Sequence, residues 1–188
     1  MPEPLTILGL PGSLRKGSFN RATLVAAQEL APPGVAVEIL DLGALPLYSP
    51  EYEADLPAAG RDLRARIRAA DAVLFATPEY NYSVPAVLKN AVEWGSRPRA
   101  ENSWRGKAVA VMGASPSRVG TVRAQNHLRQ IWLDLEVFPV PGDEVFIGQA
   151  RQKFDAAGRL VDEEARGKIA DLVARLARWV PRVRALTA

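Results

Sequence analysis

Three short segments gather the residues that could do chemistry. The first, Gly9-Leu10-Pro11-Gly12-Ser13-Leu14-Arg15-Lys16-Gly17-Ser18-Phe19-Asn20, joins a short apolar run to a helical stretch. Its hydroxyls, its glycines and the free backbone N–H groups of a helix N-terminus make an anion cradle, to which Arg15 adds a forked donor. The spacing is neither GxGxxG nor a loop ending Gly-Lys-Ser/Thr, so a single terminal phosphate suits it better than a dinucleotide or ATP. An ordinary strand-to-helix turn capped by Ser18 is the plain alternative. The second segment, Thr77-Pro78-Glu79-Tyr80-Asn81-Tyr82-Ser83-Val84-Pro85, packs two tyrosines, an amide and a carboxylate into one turn. Aromatic faces can border a planar ring while Asn81 and backbone amides bond its polar edge, and an isoalloxazine has both features. N–H donors held near its N1 and O2 would favour hydride uptake. A surface turn with Ser83 as a helix cap reads equally well. The third segment, residues 113–121, is a glycine- and serine-rich bend able to close over such a ring.

The elements around these segments must bring them together. Apolar runs predict strands over 5–10, 35–41, 71–77, 107–112 and 137–140. Helical spacing predicts helices over 20–31, 62–70, 84–94, 119–135 and 162–180, the last ending before Pro181. Residues 43–57, rich in proline, read as a long loop. Strict alternation of strand and helix implies an α/β domain with a parallel sheet covered on both faces. Two doubly wound strand orders are common, and both bind ligands at the carboxyl ends of the strands. The three segments follow the first, third and fourth strands, so they should meet at one rim.

Composition narrows the chemistry. At 188 residues and 48% hydrophobic, the chain can fill one core, and one domain over 1–188 is expected. Cysteine is absent, which excludes disulfides, thiol nucleophiles and cysteine-held metals. The single histidine, His127, leaves no basis for a zinc site and reads as a structural or interfacial residue on a helix. Trp94, Trp132 and Trp179 read as packing aromatics. The 24 basic and 21 acidic residues are interspersed, unlike the one-sided block of a nucleic-acid binder. No apolar stretch is long enough to span a membrane. Met1-Pro2-Glu3-Pro4 lacks the basic start of a secretory leader, so a cytoplasmic location is expected.

The motifs Gly12-Ser13-Leu14-Arg15 with Ser18 and Asn20, Pro78-Glu79-Tyr80-Asn81-Tyr82-Ser83 with Leu88-Lys89-Asn90-Ala91, and Arg123-Ala124-Gln125 with Leu128-Arg129-Gln130 resemble the NADPH-dependent FMN reductase family. That family includes bacterial quinone and chromate reductases, and the resemblance spans about residues 5–150. It implies a flavodoxin-like, doubly wound five-stranded parallel sheet of order 2-1-3-4-5 with helices on both faces. It also implies FMN held by the three loops, and a homodimer or homotetramer. Carried over by position, Ser13, Arg15, Ser18, Phe19 and Asn20 would bind the phosphate and ribityl chain. Pro78, Glu79, Tyr80 and Asn81 would line the flavin, and Ser115 and its neighbours would complete the pocket. The chain departs from the family where members often have glycine, carrying Ser117 and Gly120-Thr121.

The implied activity is a ping-pong one. NAD(P)H gives hydride to flavin N5 and leaves before a quinone, a flavin or another small acceptor takes the electrons. Flavin N5 carries the chemistry, so no catalytic side chain and no metal are expected, and neither nucleic acid nor membrane is a partner. The resemblance further suggests that Arg123 and Glu144 pair across a subunit boundary. One alternative is a flavodoxin-like electron carrier that oxidises no nicotinamide itself, although such carriers are usually strongly acidic and this chain is +3. Another is an interaction domain that keeps the fold without a cofactor.

Overall fold

The computed structural model describes residues 4–187. Met1–Glu3, which enter the expectation about a leader, lie outside the described residues. The strands are β1 (Leu5–Pro11), β2 (Val35–Ile39), β3 (Ala72–Ala76), β4 (Ala108–Ala114), β5 (Phe138–Pro139) and β6 (Val145–Ile147). The long helices are α1 (Phe19–Glu29), α2 (Ala58–Ala69), α3 (Ala86–Ser96), α4 (Val122–Leu135) and α5 (Glu163–Thr187). The sheet is parallel and runs β2-β1-β3-β4-β5, with β6 also paired to β4. This is the flavodoxin-like order that the resemblance implied.

Strand periodicity sorts the central residues onto two faces of different bulk. Ala72, Leu74 and Ala76 of β3 and Ala108, Ala110, Met112 and Ala114 of β4 face α1 and α5. Val73 and Phe75, with Val109 and Val111, face α2, α3 and α4. The alanine-rich side lets α1 and α5 lie close, while the other side takes Trp94, Trp104 and Trp132 into its core. Phe75 sits between two of those indoles, its ring centroid 5.7 Å from Trp104 and 5.5 Å from Trp132. Trp179 lies partly buried on the α1/α5 side and donates its indole N–H to the Phe138 carbonyl at 3.2 Å.

Several elements depart from the sequence reading, each for a physical reason. The expected fifth strand over 137–140 is split: β5 keeps two residues, and the chain leaves the sheet at Pro141-Gly142 before returning as β6. Pro139 and Pro141 offer no N–H to a ladder, which ends β5 early. β6 then pairs Val145, Phe146 and Ile147 with Met112, Gly113 and Ala114 at the carboxyl end of β4. Helix α5 does not stop at Pro181 but continues to Thr187. A proline inside a helix forfeits one hydrogen bond and crowds the preceding turn, but burial of Val180 and Val183 holds the helix together across it. Helix α3 starts at Ala86 after Pro85, with no side-chain cap, so Ser83 is not its cap. The long loop is pinned by α3: Asn90 donates to the Pro46 carbonyl and accepts from Tyr48 N–H, and Trp94 Nε1 donates to the same carbonyl.

Candidate active site

Backbone hydrogen bonds stitch the strand ends into one continuous rim. Gly12 N–H donates to Ala76 O, Thr77 N–H to Met112 O, and Ser115 N–H to Ile147 O, each at 2.8–2.9 Å. The loops after β1, β3, β4 and β6 are therefore fixed in register side by side. Gly12 permits one close approach: a Cβ there would stand 2.7 Å from both Leu88 Cδ1 and Pro78 Cδ. Gly113 does the same one strand over, where a Cβ would lie 2.3 Å from Thr77 O.

Above this rim opens a cleft of about 250 Å³, walled by Ser13, Arg15, Ser18, Phe19, Asn20, Pro78, Tyr80, Ala114, Pro116 and Arg151. No carboxylate stands in its wall. Ser18 caps α1, its hydroxyl accepting from Arg21 N–H at 3.2 Å. The N–H groups of Phe19 and Asn20, in the first helical turn, have no intrahelical acceptor. They leave the positive end of the helix dipole open to an anion. Arg15 lies 5.4 Å from the Phe19 ring centroid and makes no ion pair among the described residues. Asn20 is 3% exposed, and its amide is consumed by a reciprocal pair with Ala114, donating to Ala114 O at 2.9 Å and accepting from Ala114 N–H at 2.8 Å. That clamp ties the start of α1 to the end of β4, so Asn20 shapes the cleft through the backbone it holds.

The turn after β3 is strained. Tyr80 and Ser83 exchange backbone hydrogen bonds at 3.2 and 2.9 Å, and the two residues between them, Asn81 and Tyr82, have φ of +48° and +65°. Left-handed backbone is uncommon for a tyrosine and costs on the order of 1 kcal/mol or more. Contacts from α4 hold the conformation. The Arg123 guanidinium lies 3.9 Å from the Tyr82 ring centroid, a cation–π contact. Ser83 Oγ lies 2.9 Å from His127 Nδ1, which accounts for both Ser83 and the lone histidine.

Glu79 closes the arrangement from beneath. Its carboxylate accepts from Arg123 N–H at 2.9 Å, Ala124 N–H at 3.3 Å and Arg123 Nη1 at 2.7 Å. Burial alone would raise its pKa, but the Arg123 guanidinium and the two helix N–H groups outweigh burial and hold it below the usual value. The Glu79 side chain thus anchors the N-terminus of α4, leaving its backbone between Pro78 and Tyr80 on the rim. Within the chain Arg123 pairs with Glu79 at 2.7 Å, and Glu144 pairs with Arg129 at 2.9 Å.

The structure brings Ser13, Arg15, Ser18, Phe19, Asn20, Pro78 and Tyr80 into one cleft, and keeps Glu79, Asn81 and Ser115 out of its walls. Ser115 is occupied within its own loop, bonding to Ser117 through both the hydroxyl and the N–H of that residue. Ser117 in turn donates to Gly120 O at 3.1 Å. Thr121, the other departure from glycine, is fully buried, with Oγ1 accepting from Gln125 Nε2 at 3.1 Å. Gln125 Nε2 also donates to Val145 O at 3.0 Å, which fastens α4 to β6. Both substitutions for glycine are therefore absorbed by new hydrogen bonds. Ala114 and Pro116, the neighbours of Ser115, line the wall, and Arg151 is a wall residue that the sequence reading missed.

A cleft whose wall combines cationic and helix-terminal donors with Pro78, Tyr80 and Pro116 suits an anion joined to a planar ring, as FMN is. Comparison with known proteins agrees. The family model for NADPH-dependent FMN reductase matches residues 5–152, and the chain belongs to that family. It is accordingly an oxidoreductase that works with FMN and NAD(P)H. It is 49% identical over 185 residues to an NAD(P)H-dependent FMN reductase of Pseudomonas aeruginosa, covering 98% of this chain and 100% of that one. It is 39% identical to a 2-hydroxy-1,4-benzoquinone reductase of Burkholderia sp, over 94% of this chain and 96% of the other. Among solved structures, the flavoenzyme NAD(P)H:(acceptor) oxidoreductase FerB of Paracoccus denitrificans superimposes with a TM-score of 0.86 at 35% identity, covering 95% of this chain and 98% of that one.

Proposed function

We propose that this single-domain protein binds FMN in the rim cleft and reduces quinones and similar small acceptors with NAD(P)H. The observation that carries the reading is the cleft itself, whose wall combines Arg15 and the open first turn of α1 with Pro78 and Tyr80. FMN held there would supply the hydride-accepting and electron-donating centre of a ping-pong cycle between NAD(P)H and the acceptor. Ser13, Arg15, Ser18 and the N–H groups of Phe19 and Asn20 hold the phosphate and ribityl chain. Phe19 also packs on Phe154 in a tilted contact, with ring centroids 4.8 Å apart, which steadies the start of α1. Pro78, Tyr80 and the backbone of Glu79 and Asn81 border the ring, and the loop carrying Ser115 closes over it. Tyr80 and Tyr82 are more than half exposed, so the ring side of the cleft stays open to a second planar molecule.

The relatives' names supply the acceptor class. One is named a 2-hydroxy-1,4-benzoquinone reductase, another a quinone reductase, and this chain aligns with them over nearly their whole length. Among the described residues no helix is long and apolar enough to cross a membrane. We further propose that the protein acts in the cytoplasm and, as the family resemblance implies, as a homodimer or homotetramer. Steady-state oxidation of NADPH and NADH by the FMN-loaded protein, with a benzoquinone as acceptor, tests the activity. Parallel lines in the double-reciprocal plot are expected. A bound flavin that neither nicotinamide reduces would favour the electron-carrier alternative. Light scattering of the purified protein reads the subunit number.

A further inference from the structure

Arg151 stands in the cleft wall although it lies far from the three loops of the sequence reading. Its place follows from β6. Because β6 pairs with the last three residues of β4, the chain leaving β6 emerges on the same rim as the other loops. There it forms a short 3-10 turn, Ala150–Gln152, whose position is fixed by two backbone hydrogen bonds. Gln149 N–H donates to Ser117 O at 2.8 Å and Ala150 N–H to Ser115 O at 3.0 Å. Gln149 adopts φ of +52°, a left-handed geometry that a glutamine takes only when its surroundings impose it. On the far side Phe154 packs on Phe19, the first residue of α1. The turn is thus fastened to the β4 loop at one end and to the amino end of α1 at the other.

Charge pairing separates Arg151 from most arginines of the molecule. Arg61, Arg64, Arg66, Arg68, Arg99 and Arg105, for example, each have a carboxylate partner. Arg151 makes no ion pair and no side-chain hydrogen bond among the described residues, and the same holds for Arg15 across the cleft. Two unpaired guanidiniums facing one small cleft beside an open helix N-terminus, with no carboxylate in the wall, repel one another unless an anion lies between them. A phosphate monoester has the charge and the acceptor oxygens to engage both forks.

We propose that Arg151 is a second guanidinium for the terminal phosphate of FMN, so that Arg15 and Arg151 together select FMN over unphosphorylated riboflavin. The inference rests on the FMN reading above and adds to it a residue and a basis of specificity. The link through Phe154 to Phe19 brings the turn that carries Arg151 beside the start of α1, where the phosphate is proposed to sit.

The test is binding, read without turnover. The full chain, freed of flavin by dialysis, is titrated with FMN and separately with riboflavin, following the quenching of flavin fluorescence. Wild type should bind FMN far more tightly than riboflavin. Arg151→Ala should weaken FMN by about tenfold, the low end for a charge-assisted hydrogen bond at a partly exposed group, and leave riboflavin unchanged. Arg151→Lys, which keeps the charge but not the fork, should fall between. Unchanged FMN affinity in Arg151→Ala overturns the inference while leaving the FMN reading intact. Equal losses for FMN and riboflavin would also overturn it, by placing Arg151 on the ring or ribityl chain. A third overturning result is a loss confined to NADPH relative to NADH, which would assign Arg151 to the nicotinamide cofactor's phosphate. Wild-type protein that binds neither flavin would instead sink the FMN reading itself.

Discussion

Removing the Glu79 carboxylate should loosen the rim and lower the stability of the whole domain together. Its side chain is 10% exposed and bonds two first-turn N–H groups of α4 and the Arg123 guanidinium. The ion pair alone contributes little, under about 1 kcal/mol, because Arg123 is 39% exposed and its charge is screened by solvent. The larger part is the helix N-terminus. Loss of a capping acceptor costs about 1 kcal/mol, and buried N–H groups left without a partner cost about 1–3 kcal/mol. Glu79→Ala should therefore destabilise by about 2–3 kcal/mol, which at this chain length lowers Tm by roughly 4–12 °C. Glu79→Gln keeps an acceptor oxygen and loses only the charge, so about 1 kcal/mol and roughly 2–4 °C are expected.

The pH dependence has a definite sign. The folded-state pKa of Glu79 lies below its reference value of 4.5. Its contribution is therefore fully present above that reference and is lost as pH falls through the lower folded value. Thermal unfolding by circular dichroism, at pH 7 and at steps down through the acid range, should show the gap between wild type and Glu79→Gln closing as pH falls. A Glu79→Ala protein that melts within about 1 °C of wild type at pH 7, or a wild-type-to-Gln gap that widens in acid, would refute the anchoring role.

Other consequences can be checked with single variants. Gly12→Ala puts a methyl 2.7 Å from Leu88 Cδ1 and Pro78 Cδ and should cost about 1–3 kcal/mol in urea unfolding while weakening FMN binding. Asn20→Ala leaves both Ala114 backbone groups unpaired in a buried site, so a loss of about 2–4 kcal/mol is expected by the same assay. Phe75→Ala opens a void between Trp104 and Trp132 and should cost about 3–5 kcal/mol, seen also as a change in tryptophan fluorescence. Arg15→Ala should weaken FMN retention, measured as flavin lost on gel filtration; a variant that holds FMN as tightly as wild type would remove Arg15 from the phosphate site.

The parallel α/β sheet and the meeting of three loops were legible because they rest on features that local sequence carries strongly, whereas the strand order came from the family resemblance. Buried strands such as Ala72–Ala76 read as apolar runs, and alternation with helices leaves few topologies. What the sequence hid was set by tertiary contact. Val145–Ile147 is three residues long, too short for a periodic signal, and only its pairing with β4 makes it a strand. Missing that strand meant missing Arg151, because nothing else brings the chain after it to the rim. Pro181 carries a strong local stop signal that the burial of Val180 and Val183 overrides. Glu79 showed the right residue in the right turn, but direction was not readable: a carboxylate beside a ring-binding loop and one reaching under it to a helix N-terminus look the same in sequence. Likewise Ser83 could have capped α3, yet the left-handed turn at Asn81 and Tyr82 aims it at His127 on α4.

The central claim is that four stitched loops form a seat for one phosphorylated flavin. Its most direct measurement is the flavin content of the purified protein after exposure to equal FMN and riboflavin, released by heat and separated by chromatography. The account predicts FMN in proportion to the chain, with riboflavin left behind. A protein that emerges colourless, or that takes up both flavins alike, would contradict it.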